Sequence, residues 1–420
     1  MQSPITHTPC PIITPWTIIF KRSLQVSSSI GLSMIAQMLS VFIGMIMIAH
    51  LGKDALVGSA LISTMTGFIF VIGGSFLSSV GIMTAQLFGA KKYNDIGKCL
   101  RAGIVLALIL SIFVEILLWN ADVIFMFFKQ PINAVRFAQE YFNVYLIVAP
   151  LGMVLLVMRQ FLIAVDKQRI IIVMSFIGLF IMTLSSYTLI FGHFGMPKLG
   201  VYGFGYSAVI WFIISTIVYI TYLLESNYCK QFFSQKMSDF FQWYLVRRLT
   251  KIGLPIGVQA TSEVLAFSAI TIMIGWLGSE ELAIQQMVVQ YFILLVVPIF
   301  ALSQASSILV GKAYGAQNKL DIRRYSNALL GICLLLTMID VLIFVLFPHE
   351  LIIFYVGHDI HLSNTSLQLA ITIFILTGCR LLIDSIIIVK SGSLRGMLDV
   401  KFPMMLSVSL NWIIGLPLAG

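Results

Sequence analysis

Two acidic residues stand in stretches that are otherwise apolar. Glu263 lies about eleven residues into one such stretch, in Gly253-Leu-Pro-Ile-Gly-Val-Gln-Ala-Thr-Ser-Glu263. Asp384 lies well inside another, with Arg380 one helical turn before it. An ionisable side chain at bilayer depth costs about 2.5–3.5 kcal/mol or more, so each is a functional site by default. A carboxylate in low dielectric beside a second carboxylate is driven to take up a counter-charge. It can bind H+, Na+ or a cationic compound and trade one for another, which is the minimal chemistry of ion-coupled exchange. The bland alternative is a structural ion pair, since Arg380 and Asp384 are i,i+4 neighbours. Glu115 and Asp340 sit nearer the ends of their runs, where snorkelling explains them.

The elements that must hold such groups follow from composition. Of 420 residues only 10% are charged, against roughly 25% in an average soluble protein. The hydrophobic fraction is 59% and the mean hydropathy +1.00. One soluble core stops growing at about 250–300 residues and cannot hide that much apolar surface. A soluble enzyme, a disordered chain and a nucleic-acid-binding domain are therefore excluded. An all-α polytopic membrane protein in a lipid bilayer remains, because a helix of about 20 apolar residues spans the hydrocarbon. Eleven such runs are expected, at about 27–49, 55–84, 99–119, 139–164, 168–191, 201–224, 252–276, 282–310, 326–347, 364–389 and 404–420. The longest polar stretch, 225–251, reads as a linker between two bundles, 27–224 and 252–420, after an N-terminal segment 1–26.

The net charge of +9 would suit nucleic acid if the basic residues formed one patch, and they do not. With alternating loops and the N-terminus inside, 20 of the 26 Lys and Arg fall on the inner side and four outside, while Arg159 and Arg380 lie within spans. That asymmetry predicts a cytoplasmic N-terminus and inner segment in a bacterial inner membrane.

The chain also repeats itself. Ile46-Met-Ile…Leu51-Gly…Leu56 matches Ile272-Met-Ile…Leu277-Gly…Leu282, and Phe88-Gly-Ala…Asp95-Ile matches Tyr314-Gly-Ala…Asp321-Ile, both at an offset of 226. An even number of spans separates the copies, so the repeat is parallel. The expectation is two pseudo-symmetric six-helix bundles with a substrate path between them. The offset sets Gln37 opposite Glu263. Gln286, Gln290 and Tyr291 in the eighth run are further candidates for a cavity that receives an amphipathic or cationic small molecule. Interhelical hydrogen bonding is the alternative for the glutamines. Pro255, Pro298 and Pro417 are candidate bending points. Five scattered cysteines and six histidines show no metal-ligand spacing beyond His358-Asp-Ile-His361, which reads as a solvated loop. No cofactor is expected, and nothing calls for a partner chain, so a monomer is expected.

These landmarks, in their order, resemble the MATE (multidrug and toxic compound extrusion) transporters, especially the bacterial NorM-type branch. The likeness rests on Met47-Ile-Ala-His-Leu-Gly52, Phe88-Gly-Ala, Gly253-Leu-Pro-Ile-Gly257 with Glu263, Tyr314-Gly-Ala, Asp384 ahead of Leu394-Arg-Gly396, and Trp412-Ile-Ile-Gly-Leu-Pro417. It spans about 25–420. The resemblance implies a secondary antiporter that expels bulky, often cationic compounds against inward Na+ or H+, with Glu263 and Asp384 as the coupling pair and as the place for any bound Na+. It does not imply an enzyme. A lipid-linked saccharide flippase and a non-transporting relic are the alternatives. Three departures stand out: Gly44 where the family often has Asp, Met182 and Ser186 where asparagines are expected, and a chain that stops inside the eleventh of twelve spans, leaving the second bundle without its last helix. Arg380, a fixed positive charge one turn from Asp384, is expected to modulate that residue by competing with a bound cation.

Overall fold

The computed structural model describes residues 15–230, 232, 242–356 and 364–419. Among these there is no strand. The helices in chain order are α1 (Trp16–Ala49), α2 (Lys53–Gly89), α3 (Tyr93–Trp119), α4 (Ala121–Phe127), α5 (Ile132–Tyr145), α6 (Ala149–Ala164), α7 (Gln168–Phe191), α8 (Val201–Glu225), α9 (Asn227–Lys230), α10 (Trp243–Leu277), α11 (Ser279–Gly315), α12 (Lys319–Leu346), α13 (Pro348–Val356), α14 (Asn364–Gly396), α15 (Lys401–Ser409) and α16 (Leu416–Ala419). A π-helical segment, Leu410–Gly415, joins the last two.

Nine of the described helices are long and apolar enough to cross a bilayer. The expected fourth span is not one continuous helix: α5 and α6 meet at a 65° bend. Pro150 sits in the first turn of α6, where a missing N–H is harmless, and its ring cannot follow a helix arriving from Tyr145. The candidate bending points Pro255 and Pro298 both lie inside continuous helices. Neighbouring helices make such prolines tolerable in lipid. The eleventh expected span is the run α15–π–α16, with Pro417 inside α16. Helix α10 begins at Trp243, within the stretch read as linker, and α1 begins at Trp16. His358, Asp359, His361 and Cys10 lie outside the described residues.

The repeat is visible in the helix ends. Helices α2 and α11 are each 37 residues long and their ends lie 226 apart, as do the starts of α3 and α12. The loops that follow α2 and α11 place Lys91 and Gln317 at φ 57°, again 226 apart. Local sequence thus dictates the same turn twice.

The two bundles meet along α1 and α2 on one side and α10 and α11 on the other. A Cβ on Gly89 would overlap the backbone carbonyl of Lys312, and a Cβ on Gly315 would overlap that of Gln86. These pairs are related by the same offset, so α2 and α11 cross about a pseudo-twofold axis at a point only glycine permits. The ties around this crossing share one face, the face at which α1 begins. Gln86 Nε2 donates to the Gly396 carbonyl at 2.7 Å. Asp166, in the α6–α7 turn, pairs with Arg22 of α1 and with Lys312 of α11, both at 2.7 Å. Lys312 also lies over the Phe88 ring at 4.8 Å, and Arg324 of α12 over Trp16 at 5.6 Å.

Candidate functional site

Just above this closed face the bundles enclose a cavity of about 420 Å³, a size typical of small-molecule sites. Its walls come from α1, α2, α6 and α7 of the first bundle and α11 and α14 of the second. The repeat organises it: Val71, Ser78 and Ile82 of α2 face Val297, Gln304 and Ile308 of α11, each pair 226 apart. Phe70, Phe300, Ile30 and Met34 make it largely apolar. The polar groups that remain are few, because most wall hydroxyls are spent within the helices. Ser29 and Ser33 donate to the carbonyls of Gln25 and Ser29, at 2.6 and 2.9 Å. Ser303 reaches across to the Ile388 carbonyl at 2.7 Å. Gln304 donates to Gln160 at 3.0 Å, joining the two bundles through the cavity.

Two guanidinium groups complete the wall. Arg159 Nη1 donates to Gln37 Oε1 at 2.8 Å. Arg395 Nη2 donates to Gln259 Oε1 at 2.8 Å. The same Gln259 donates through Nε2 to Glu263 at 2.9 Å, and Ser407 of α15 donates to that carboxylate oxygen at 2.7 Å. Glu263 is therefore one amide away from the cavity, through Arg395. Trp412 Nε1 holds Ser262 at 2.8 Å, which fixes the end of the chain against α10. The helix repeat explains the placement: Gln259 and Glu263 are one turn apart on α10, so one amide can touch both Arg395 and the carboxylate.

Of the residues singled out by sequence, Gln37 lines the cavity. Gln286 and Gln290 are exposed and continue, along α11, the stripe 297, 300, 304 that lines it lower down. Tyr291 is turned away: its hydroxyl donates to the Leu351 carbonyl at 2.9 Å and its ring packs on Phe374 and Tyr355. The two carboxylates have unlike surroundings. Asp384 accepts from Arg380 Nε at 3.1 Å, so the ion pair that sequence allowed does form, while Glu263 has only neutral donors on it. Each lies within electrostatic range of the other. Arg159 and Arg395 are the residues that sequence undervalued. Arg159 read only as a basic residue within a span, yet it points inward to Gln37. Arg395 read only as part of a motif.

One of the departures has a packing reason. A Cβ at Gly44 would collide with the Phe204 ring, so α1 and α8 close over the place where a carboxylate would stand. Met182 and Ser186 are buried in α7. The described cysteines Cys99, Cys229, Cys333 and Cys379 are unbridged, and no cluster of three His, Cys, Asp or Glu suited to a metal occurs among the described residues.

Comparison with known proteins agrees with this arrangement. The family model MatE matches the chain twice, at residues 29–188 and 255–419, once in each copy of the repeat and with starts 226 apart. A probable multidrug resistance protein NorM of Rhizobium meliloti is 26% identical over 95% of this chain and 86% of its own length. A protein of the same description from Agrobacterium fabrum is 26% identical over 96% and 87%. The fold is shared with a solved multidrug resistance MATE family transporter of the MOP superfamily in an outward-facing conformation, at a TM-score of 0.84 and 17% identity, covering 96% of this chain and 88% of that one. The chain is a membrane transporter and not an enzyme, and it belongs to the MatE family.

Proposed function

We propose that this chain is a secondary antiporter that exports amphipathic small molecules, as the multidrug names of its relatives suggest, in exchange for Na+ or H+. The observation that carries the reading is the relay from Glu263 through Gln259 and Arg395 to the cavity wall. A carboxylate that takes up a cation withdraws its negative charge from Gln259, and the amide must then redistribute its two hydrogen bonds between Glu263 and Arg395. Ion occupancy is thereby felt at the cavity. Asp384 shares the ion load at longer range, with Arg380 holding part of its charge.

The orientation follows from the basic residues: the closed face at which α1 begins is the cytoplasmic one, and the cavity faces outward. The bundles 27–224 and 252–420 are the moving bodies, with the Gly89 and Gly315 crossing as the inner closure. The bacterial inner membrane is the place where such an ion gradient is available.

The test is transport in proteoliposomes with an imposed Na+ or pH gradient. Uptake that follows one gradient in the wild type and is lost in Glu263→Gln supports the reading. Gradient-driven uptake that persists in Glu263→Gln overturns the coupling role.

A further inference from the structure

The cavity wall carries two guanidinium groups, Arg159 and Arg395, and no carboxylate. We infer that its occupant is an amphipath bearing a negative charge, a carboxylate, sulfonate or phosphate on an apolar or aromatic body, and not the cation that the family resemblance implies. The inference rests on the cavity being the transport site proposed above.

An arginine side chain offers five N–H donors and no acceptor. Arg159 has one of them on Gln37, a neutral amide that leaves the charge uncompensated. Arg395 has one on Gln259, and its Nε is buried without a partner. The hydroxyls of Ser29, Ser33 and Ser303 already donate to helix carbonyls. Gln168 Oε1, buried and also without a partner, adds an acceptor but no charge.

Two carboxylates next to the cavity wall are engaged elsewhere. Asp166, below the floor, is held between Arg22 and Lys312. Glu263 stands behind Gln259 and offsets part of the Arg395 charge, so Arg159 is the stronger anchor. The aromatic faces of Phe70 and Phe300 suit a planar body whatever its charge. They would also attract a cation, but a ring face is a weaker partner than a planar guanidinium that pairs two N–H groups with an anion.

The experiment is equilibrium binding to the full chain in phosphatidylcholine nanodiscs, read by fluorescence anisotropy with no ion gradient. The probes are two xanthene dyes of similar shape and opposite charge, fluorescein and rhodamine 6G. Fluorescein should bind at least tenfold tighter, a factor worth about 1.4 kcal/mol. Arg159→Gln should weaken fluorescein at least tenfold and leave rhodamine 6G as it was or tighter. Arg159→Lys, which keeps the charge and loses the paired donors, should bind fluorescein with an affinity between those of the wild type and Arg159→Gln, and guards against a folding defect in Arg159→Gln. Arg395→Gln should give a smaller loss.

Tighter binding of rhodamine 6G to the wild type, or fluorescein binding indifferent to Arg159→Gln, overturns the inference. The two readings fail separately. Fluorescein bound at Arg159 without gradient-driven transport would sink the antiporter, while ion-driven transport of rhodamine 6G without fluorescein binding would sink the anion.

Discussion

The two bundles are copies in backbone and unlike in charge. On α1, Gln37 receives a hydrogen bond from Arg159 and the contact ends there. On α10, at the same register 226 residues on, Glu263 receives bonds from Gln259 and Ser407, and Gln259 passes the contact to Arg395. One bundle thus presents a fixed positive charge on a neutral amide. The other presents a positive charge tied to an exchangeable negative one. The shared scaffold carries unlike neighbours at this register: Gln37 stands where the second bundle has Glu263, and Ser33 where it has Gln259. The same asymmetry recurs at Gly44, where the Phe204 ring fills the space that a first-bundle carboxylate would need.

The largest effect should come from removing the difference itself. Glu263→Gln makes the second cradle neutral like the first, and ion-driven transport should fall to background while the protein still folds. The fold is expected to survive because an amide keeps the size and can still accept from Ser407 and Gln259. Transport assays with thermal unfolding of the same sample check both halves of the statement.

Next in size is the tie on which the two bundles lean. Asp166 holds Arg22 and Lys312 together, and Lys312 is 9% exposed. Asp166→Asn leaves a buried lysine facing an amide. Breaking a buried pair costs about 3–5 kcal/mol, and the 30% exposure of Asp166 reduces that. A loss of about 1–3 kcal/mol is expected, concentrated on the outward-facing state. Faster alkylation of a cysteine placed at Ser307, near the cavity floor, would report the opening. Alkylation at the wild-type rate would show that the glycine crossing closes the face alone.

That crossing can be tested by Gly89→Ala and Gly315→Ala, which the pseudo-twofold relates. Each added methyl meets a backbone carbonyl and not a movable side chain. Overpacking of this kind costs about 1–3 kcal/mol. The two variants should lower Tm by similar amounts, and unequal losses would show that the bundles share the strain unevenly.

Much of this fold is legible in the sequence because two of its signals are strong. Apolar runs of span length mark the membrane helices, and the 226-residue offset marks the repeat down to the ends of α2 and α11. The break between α5 and α6 is harder to see, because the run 139–164 is predominantly apolar and of span length, and only Pro150 signals the bend. At the site, depth along an apolar run singled out Glu263 and Asp384, since charge in lipid is conspicuous whatever the neighbours are. It could not say which way a long side chain turns. Arg159 sits near the end of its span, where turning outward and turning inward look alike in one dimension. Tyr291 misled for the same reason, because the stripe Gln286–Gln290 continues to 297 and leaves Tyr291 on the flank. What remained hidden was contact between residues far apart in the chain, such as Gln259 with Arg395.

The smallest effect belongs to the second carboxylate. Asp384 already has a cation on it, the Arg380 guanidinium at 3.1 Å. The arginine side chain is 58% exposed, and pairs with one partner in that range are worth about 0.2–1 kcal/mol. Arg380→Gln should therefore lower the half-saturating concentration of the coupling ion by no more than about fivefold, since Asp384 loses a competitor and keeps its place. Maximal transport should be unchanged. The first bundle has no acidic counterpart to Asp384 to be released, since Met158 stands 226 residues before it. If Arg380→Gln abolished transport outright, the arginine would have to do more than mask a charge. The ion pair, and not the free carboxylate at Glu263, would then be the element that distinguishes the second bundle.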